Sequence, residues 1–232
     1  MNAPSALASL RDLGGLRTAT GGTTRTGVLL RSDAPYANDV DTGTEPAGWP
    51  PAVVLDLRGS AEAAASPRIW GSTTTVHSHE LYTGARPGAI SPNDNLIDLY
   101  RNIVTDAADQ IVAVVDLLAT DRSTLVHCAA GKDRTGIVVA VLLALADVDD
   151  DAIVADYVLT ADAMPEVVAR LSTVGGLPDD LEAYREWLGA PEEAIRVVLD
   201  ELRSHPGGPS AWFLSQGGNE AALTTWLECF VS

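Results

Sequence analysis

Cysteine is almost absent from this chain: two in 232 residues, at positions 128 and 229. Two thiols exclude a disulfide framework, and a reducing compartment suits a chain that keeps a reactive thiol free. Basic residues are scarce as well. Fifteen Lys and Arg against 32 Asp and Glu leave a net charge of −17, which argues against nucleic acid as a partner and against broad attraction to anionic membranes. Long apolar runs are missing too. The stretch from Ile137 to Ala146 is too short to span a bilayer, so no stable membrane insertion is expected. The N-terminus lacks a positive segment followed by an apolar one, so no secretory signal is read. The expected location is cytoplasmic, with export by a signal-independent route left open. No internal repeat or low-complexity tract is visible. His77 and His79 share one face of a candidate strand, as metal ligands would, but no third and fourth ligand accompany them. No metal and no cofactor are expected.

What is present alternates between two periods. Val28 to Arg31, Val53 to Leu57 and Thr124 to His127 read as short buried strands, with Thr74 to Leu81 as a looser one. Asn95 to Ala119 is helical in period, with a break near Thr105-Asp106. Asp150 to Asp162 places Ile153, Val154, Tyr157 and Val158 on one face. Pro191 with Glu192-Glu193 starts a helix running to Arg203, and Asn219 caps a last one through Phe230. Gly21-Gly22, Thr42 to Pro51, Gly175-Gly176 and Pro206 to Pro209 read as loops. Strands alternating with helices predict an α/β fold, a central and mostly parallel sheet flanked by helices. The length fits one domain, residues 1–232.

The most informative stretch runs from His127 to Gly136. It places Cys128 and Arg134 six positions apart, with small residues between them, after a strand and before a helix that is apolar on every face. The free N–H groups and the positive dipole end at a helix N-terminus favour an anion. The amides of Ala129, Ala130, Gly131, Lys132, Asp133 and Arg134 form a candidate nest for three phosphate oxygens. Arg134 adds a forked contact that a lysine cannot reproduce. The same field favours the thiolate of Cys128, a nucleophile, and the Thr135 hydroxyl is placed to donate to it. Lys132 is a second cation near the phosphate. Because the whole chain is acidic, the positive potential must be local, from Lys132, Arg134, the helix end and, as further sources, Arg31, Arg58 or Arg86. Arg58 alternatively caps a helix. His127 is expected to bond the loop backbone and tune Cys128. Cys229, with Trp226 and Phe230, reads as helix packing.

His127 to Gly136 resembles the HCxxGKDRTG signature of cysteine-dependent phosphatases. More closely, the chain is similar to bacterial tyrosine and phosphoinositide phosphatases typified by a secreted mycobacterial enzyme. Arg11 to Gly15, Gly27 to Asp33, Val54 to Arg58 and Asp156 to Thr160 resemble other segments of that family in the same order, over about residues 10 to 203. The resemblance implies a cysteine-phosphatase-like fold and a helical lid at about residues 160–190; plain surface helices are the alternative. It also implies phosphorylated protein or phosphoinositide substrates, the latter through Lys132. No Trp-Pro-Asp loop is present, since Gly48-Trp49-Pro50 is followed by Pro51. The resemblance therefore suggests Asp133 as general acid, with Asp94, Asp98 and Asp33 in reserve.

The expected function is a protein-tyrosine-phosphatase-like phosphomonoesterase working through a phosphocysteine, with Cys128, Arg134 and Asp133 catalytic and His127 and Thr135 in support. Two alternatives from other classes are a phosphate-binding module without turnover and a loop-cysteine sulfurtransferase.

Overall fold

The computed structural model describes residues 6–82, 95–175, 177, 180 and 187–232. Five strands form one sheet: β1 (Arg11–Asp12), β2 (Leu29–Ser32), β3 (Val53–Asp56), β4 (Thr75–Ser78) and β5 (Thr124–His127). Their order is β1-β2-β5-β3-β4. β2, β5, β3 and β4 run parallel, and the short β1 pairs antiparallel with β2. In register, His127 lies between Ser32 on one side and Asp56 on the other. The chain leaving β5 therefore emerges at the carboxyl edge of the sheet, where open α/β sheets place their ligands.

Side-chain alternation divides the strands between two cores. Leu29, Leu55 and Val126 join the main cluster, which runs from Leu13 to Phe230. Leu30, Val54 and Leu125 face the other way and pack with Leu10, Trp49 and Trp70. The helices are α1 (Ser60–Ala65), α2 (Leu96–Asp106), α3 (Ala108–Leu118), α4 (Asp133–Leu145), α5 (Asp150–Val158), α6 (Thr160–Thr173), α7 (Glu192–Ser204), α8 (Gly208–Ser215) and α9 (Glu220–Phe230). Every residue of α4 from Arg134 to Leu145 is buried, as an all-apolar helix requires. α7 is amphipathic and covers it through Ala194, Ile195, Val198, Leu199 and Leu202. No helix among the described residues is long and apolar enough to cross a membrane.

The expected elements stand with shifted ends. The break in the Asn95–Ala119 helix falls at Ala107, whose backbone leaves the helical region. Asn95 caps α2 by accepting from the N–H groups of Ile97 and Asp98, and Asn219 caps α9 in the same way through Ala221 and Ala222. The strand read over Thr74 to Leu81 is limited to Thr75–Ser78. One expectation is corrected. Pro206 to Pro209 is more than a loop, because α8 begins at Gly208 with Pro209 in its first turn, where a proline loses no hydrogen bond.

Candidate active site

β5 ends at His127, and Cys128 opens a loop that closes at Lys132, the N-cap of α4. Three features hold this loop. Gly131 has φ +69°, and a Cβ there would lie 2.4 Å from the Ser32 carbonyl oxygen. Arg31 on β2 donates to the Gly131 carbonyl at 2.9 Å, and the Ala129 carbonyl accepts from the Ala34 N–H at 2.9 Å. Gly131→Ala is therefore expected to lower stability by about 3 kcal/mol, roughly 6–12 °C in Tm. A thermal melt beside the wild type measures this, and an unchanged melt would contradict it.

The amides of the loop are left open. Among the described residues, no acceptor takes the backbone N–H groups of Ala129 through Arg134; the first amide of the junction to bond is Gly136, to the Lys132 carbonyl at 2.7 Å. Cys128 is 3% exposed at the start of this nest. His127 is buried and donates from Nδ1 to the Cys128 carbonyl at 3.0 Å. Burial holds its pKa below the ordinary histidine value, outweighing the opposing pull of Asp56. This neutral ring braces the loop backbone.

Arg134 is held by a residue that sequence reading passed over. Glu62, in the first turn of α1, takes its guanidinium in a fork, Nη1 to Oε2 at 2.8 Å and Nη2 to Oε1 at 2.9 Å. Nη1 also donates to the Leu57 carbonyl at 3.3 Å. Burial opposes the charge of Arg134, but Glu62 and Cys128 outweigh it and raise its pKa above the usual arginine value. The only sequence signal for Glu62 is its place four residues after Arg58, where the chain leaves β3.

Lys132 is 2% exposed, and its Nζ lies 2.5 Å from Asp133 Oδ1. Asp133 and Tyr157 outweigh the burial penalty, so its pKa is raised and the ammonium is kept. Lys132, expected as a second cation beside the phosphate, is a buried ammonium with a carboxylate already bound to it. Tyr100 of α2 donates to the same Oδ1 at 2.9 Å, and Tyr157 of α5 lies 2.7 Å from the Tyr100 hydroxyl.

Other expected residues are used differently. Arg31 is paired with Asp156 at 2.5 Å, and Arg11 holds the other oxygen of that carboxylate at 2.6 Å. Arg58 is paired with Asp56 at 2.7 Å and donates to the carbonyl and hydroxyl of Ser66, the C-cap of α1. Arg58 thus serves as a helix cap and is offset by Asp56, whereas Arg31 shares the one carboxylate of Asp156 with Arg11, which leaves this pair of arginines with one positive charge in excess. The Thr135 hydroxyl is buried without a hydrogen-bond partner among the described residues, so the expected bond to Cys128 is not formed. Asp33 is taken up by Ser9 and by Arg170, whose Nε lies 2.6 Å from it. Asp98 is exposed and paired with Arg101. Asp94 and Arg86 lie outside the described residues. His79 Nε2 donates to the Gln110 carbonyl at 2.7 Å.

α6 forms a wall of the site. Met164, Val167 and Leu171 pack against Ala129 and Ala130 of the loop, together with Ala8, Leu177 and Leu188. Arg170 fastens this helix through Asp33, a fork onto Asp39 and the carbonyls of Ala6 and Ala34. Part of the segment read as a lid, residues 176, 178–179 and 181–186, lies outside the described residues.

A mostly parallel sheet with a cysteine loop at its carboxyl edge, open loop amides and a buried arginine held in a fork by Glu62 make up the site. The profile of the tyrosine phosphatase family matches residues 5–231, and the chain belongs to that family. It is 47% identical over 79 residues to the triple specificity protein phosphatase PtpB of Mycobacterium tuberculosis, a match covering 33% of this chain and 29% of that one. It is 39% identical over 142 residues to a tyrosine-protein phosphatase of Nostoc commune, covering 56% and 47%. A Cupriavidus necator protein that carries a tyrosine-protein phosphatase name is 26% identical over 211 residues, covering 82% and 76%. The chain thus spans less than half the length of the mycobacterial and Nostoc proteins where it matches them.

Proposed function

We propose that this chain is a phosphomonoesterase acting on phosphotyrosine and working through a phosphocysteine. The observation that carries the reading is the run of amides from Ala129 to Arg134, directly after the buried Cys128, that meet no acceptor among the described residues. In the first step Cys128 Sγ attacks phosphorus in line, and the bond from phosphorus to the leaving oxygen breaks. The loop amides and Arg134 take the charge on the equatorial oxygens. This step requires Asp133 in its carboxylic acid form, which gives its proton to the leaving oxygen and becomes the carboxylate. In the second step Asp133 accepts a proton from water as the water attacks phosphorus, the S–P bond breaks, and phosphate leaves. No step calls for a metal.

The substrate range proposed here extends to what one relative's name suggests. The mycobacterial relative is named for triple specificity, and Lys132 beside the loop supports phosphoinositides as a second substrate class here. A catalytically silent phosphate-binding module would trap phosphate esters without product. A panel of phosphotyrosine peptide, phosphoserine peptide, phosphoinositide and p-nitrophenyl phosphate, with EDTA present, tests the reading; no turnover of any of them would sink it. Asp133→Asn is expected to lower turnover of phosphotyrosine by ~10²–10³-fold. Steady-state rates across the pH range measure this, and near wild-type rates would remove Asp133 from the mechanism.

A further inference from the structure

The two oxygens of Asp133 are treated unequally. Oδ1 accepts from Lys132 Nζ and from the Tyr100 hydroxyl, while Oδ2 has no hydrogen bond among the described residues. The carboxylate is 19% exposed, whereas Lys132 and Tyr100 are buried. One oxygen is therefore gripped from inside the protein and the other is left for chemistry.

The two grips differ in kind. Lys132 is a cation flanking the phosphate nest, so a bound phosphate dianion competes with Asp133 for its ammonium. The Tyr100 hydroxyl is neutral, comes from a different helix, and has no such conflict. Burial and the charge of Asp133 push Tyr100 well above the ordinary tyrosine pKa, so it remains a donor. Its single proton goes to Asp133, which makes Tyr157 the donor in the 2.7 Å bond between the two hydroxyls. Tyr157 is fixed in turn. Its ring meets the Tyr100 ring edge-on, with centroids 6.0 Å apart. It also lies against Gly136, where a Cβ would come within 3.0 Å of the ring. A chain of hydroxyls thus runs from α5 through α2 to the first residue of α4.

We infer that Tyr100, backed by Tyr157, is the positioning residue of the proton-transferring aspartate. It holds Asp133 Oδ1 so that Oδ2 faces the leaving oxygen, and keeps that aim when Lys132 turns to the bound phosphate. This rests on the reading of Asp133 as general acid.

Tyr100→Phe keeps the ring and removes the hydroxyl. The expected result is a turnover loss that grows with the basicity of the leaving group: about tenfold on phosphotyrosine and about twofold on p-nitrophenyl phosphate, whose leaving group needs less protonation. KM should stay close to that of the wild type. Asp133→Asn, measured in parallel on the same substrates, should show the same dependence more steeply. A Tyr100→Phe loss equal on all leaving groups, beside a leaving-group-dependent loss in Asp133→Asn, would overturn the positioning role alone. No leaving-group dependence in Asp133→Asn would overturn the acid assignment and the inference with it. If Tyr100→Phe does not fold, Tyr157→Phe replaces it. That variant should lose about threefold with the same trend, and a uniform loss in it would equally overturn the inference.

Discussion

Cys128→Ser is expected to abolish turnover, by ~10⁴-fold or more, because no other group in the loop can form the covalent intermediate. The variant removes a single sulfur from a position that is 3% exposed, and a hydroxyl there is a far weaker nucleophile at neutral pH. The amide nest, Arg134 and α4 are untouched, so the variant should still bind phosphate esters. The check has two parts: turnover of phosphotyrosine and p-nitrophenyl phosphate, and retention of a phosphotyrosine peptide by the inactive protein. Substantial residual turnover would show that the cysteine is not the nucleophile. Loss of binding together with turnover would show that Cys128 is needed for the loop itself.

The second large effect is expected at Arg134. Arg134→Lys keeps the charge and loses the fork. In the present geometry Nη1 and Nη2 lie 2.8 and 2.9 Å from the two oxygens of Glu62. That bidentate pair fixes the plane of the guanidinium, and an ammonium cannot reproduce it. A lysine would reach toward Glu62 or toward phosphate as a point charge, without a set orientation. The expected loss in kcat/KM is ~10³-fold, the scale for removing an oriented donor from developing transition-state charge. Inhibition by inorganic phosphate should weaken at the same time. A drop of less than tenfold would mean that the amides alone carry the charge.

The loop was legible in the sequence because its determinants are local. A strand end, a cysteine, small residues, an arginine and an apolar helix within a few residues of one another leave few backbone paths, and φ +69° at Gly131 shows why a glycine is needed there. The helix caps at Asn95 and Asn219 were legible for the same reason: the side chain bonds the amides two and three residues on. α8 was hidden because its start, with Gly207, Gly208 and Pro209, carries the residues of a turn. α1 and β1 are too short to show a period.

The partners of the loop's side chains were not legible, and they separate what this chain's sequence determines alone from what folding decides. Residues 127–136 by themselves specify a loop that carries a cysteine and an arginine from the end of β5 to the start of α4, since its determinants are close neighbours in the chain. Which carboxylate orients Arg134, which hydroxyl grips Asp133 and which ion pair holds the Gly131 carbonyl depend on elements far apart in sequence. Glu62 comes from the helix after β3, Tyr100 from α2, and Asp156 from α5. Each is an ordinary surface-type residue until the sheet order and the packing around α4 bring it within 3 Å of its partner. A contact of that kind has no period and no spacing to read, because it is set by the closing of loops whose lengths leave many pairings open. The chemistry of the site is written in the chain, and the aim of its groups exists only in the folded protein.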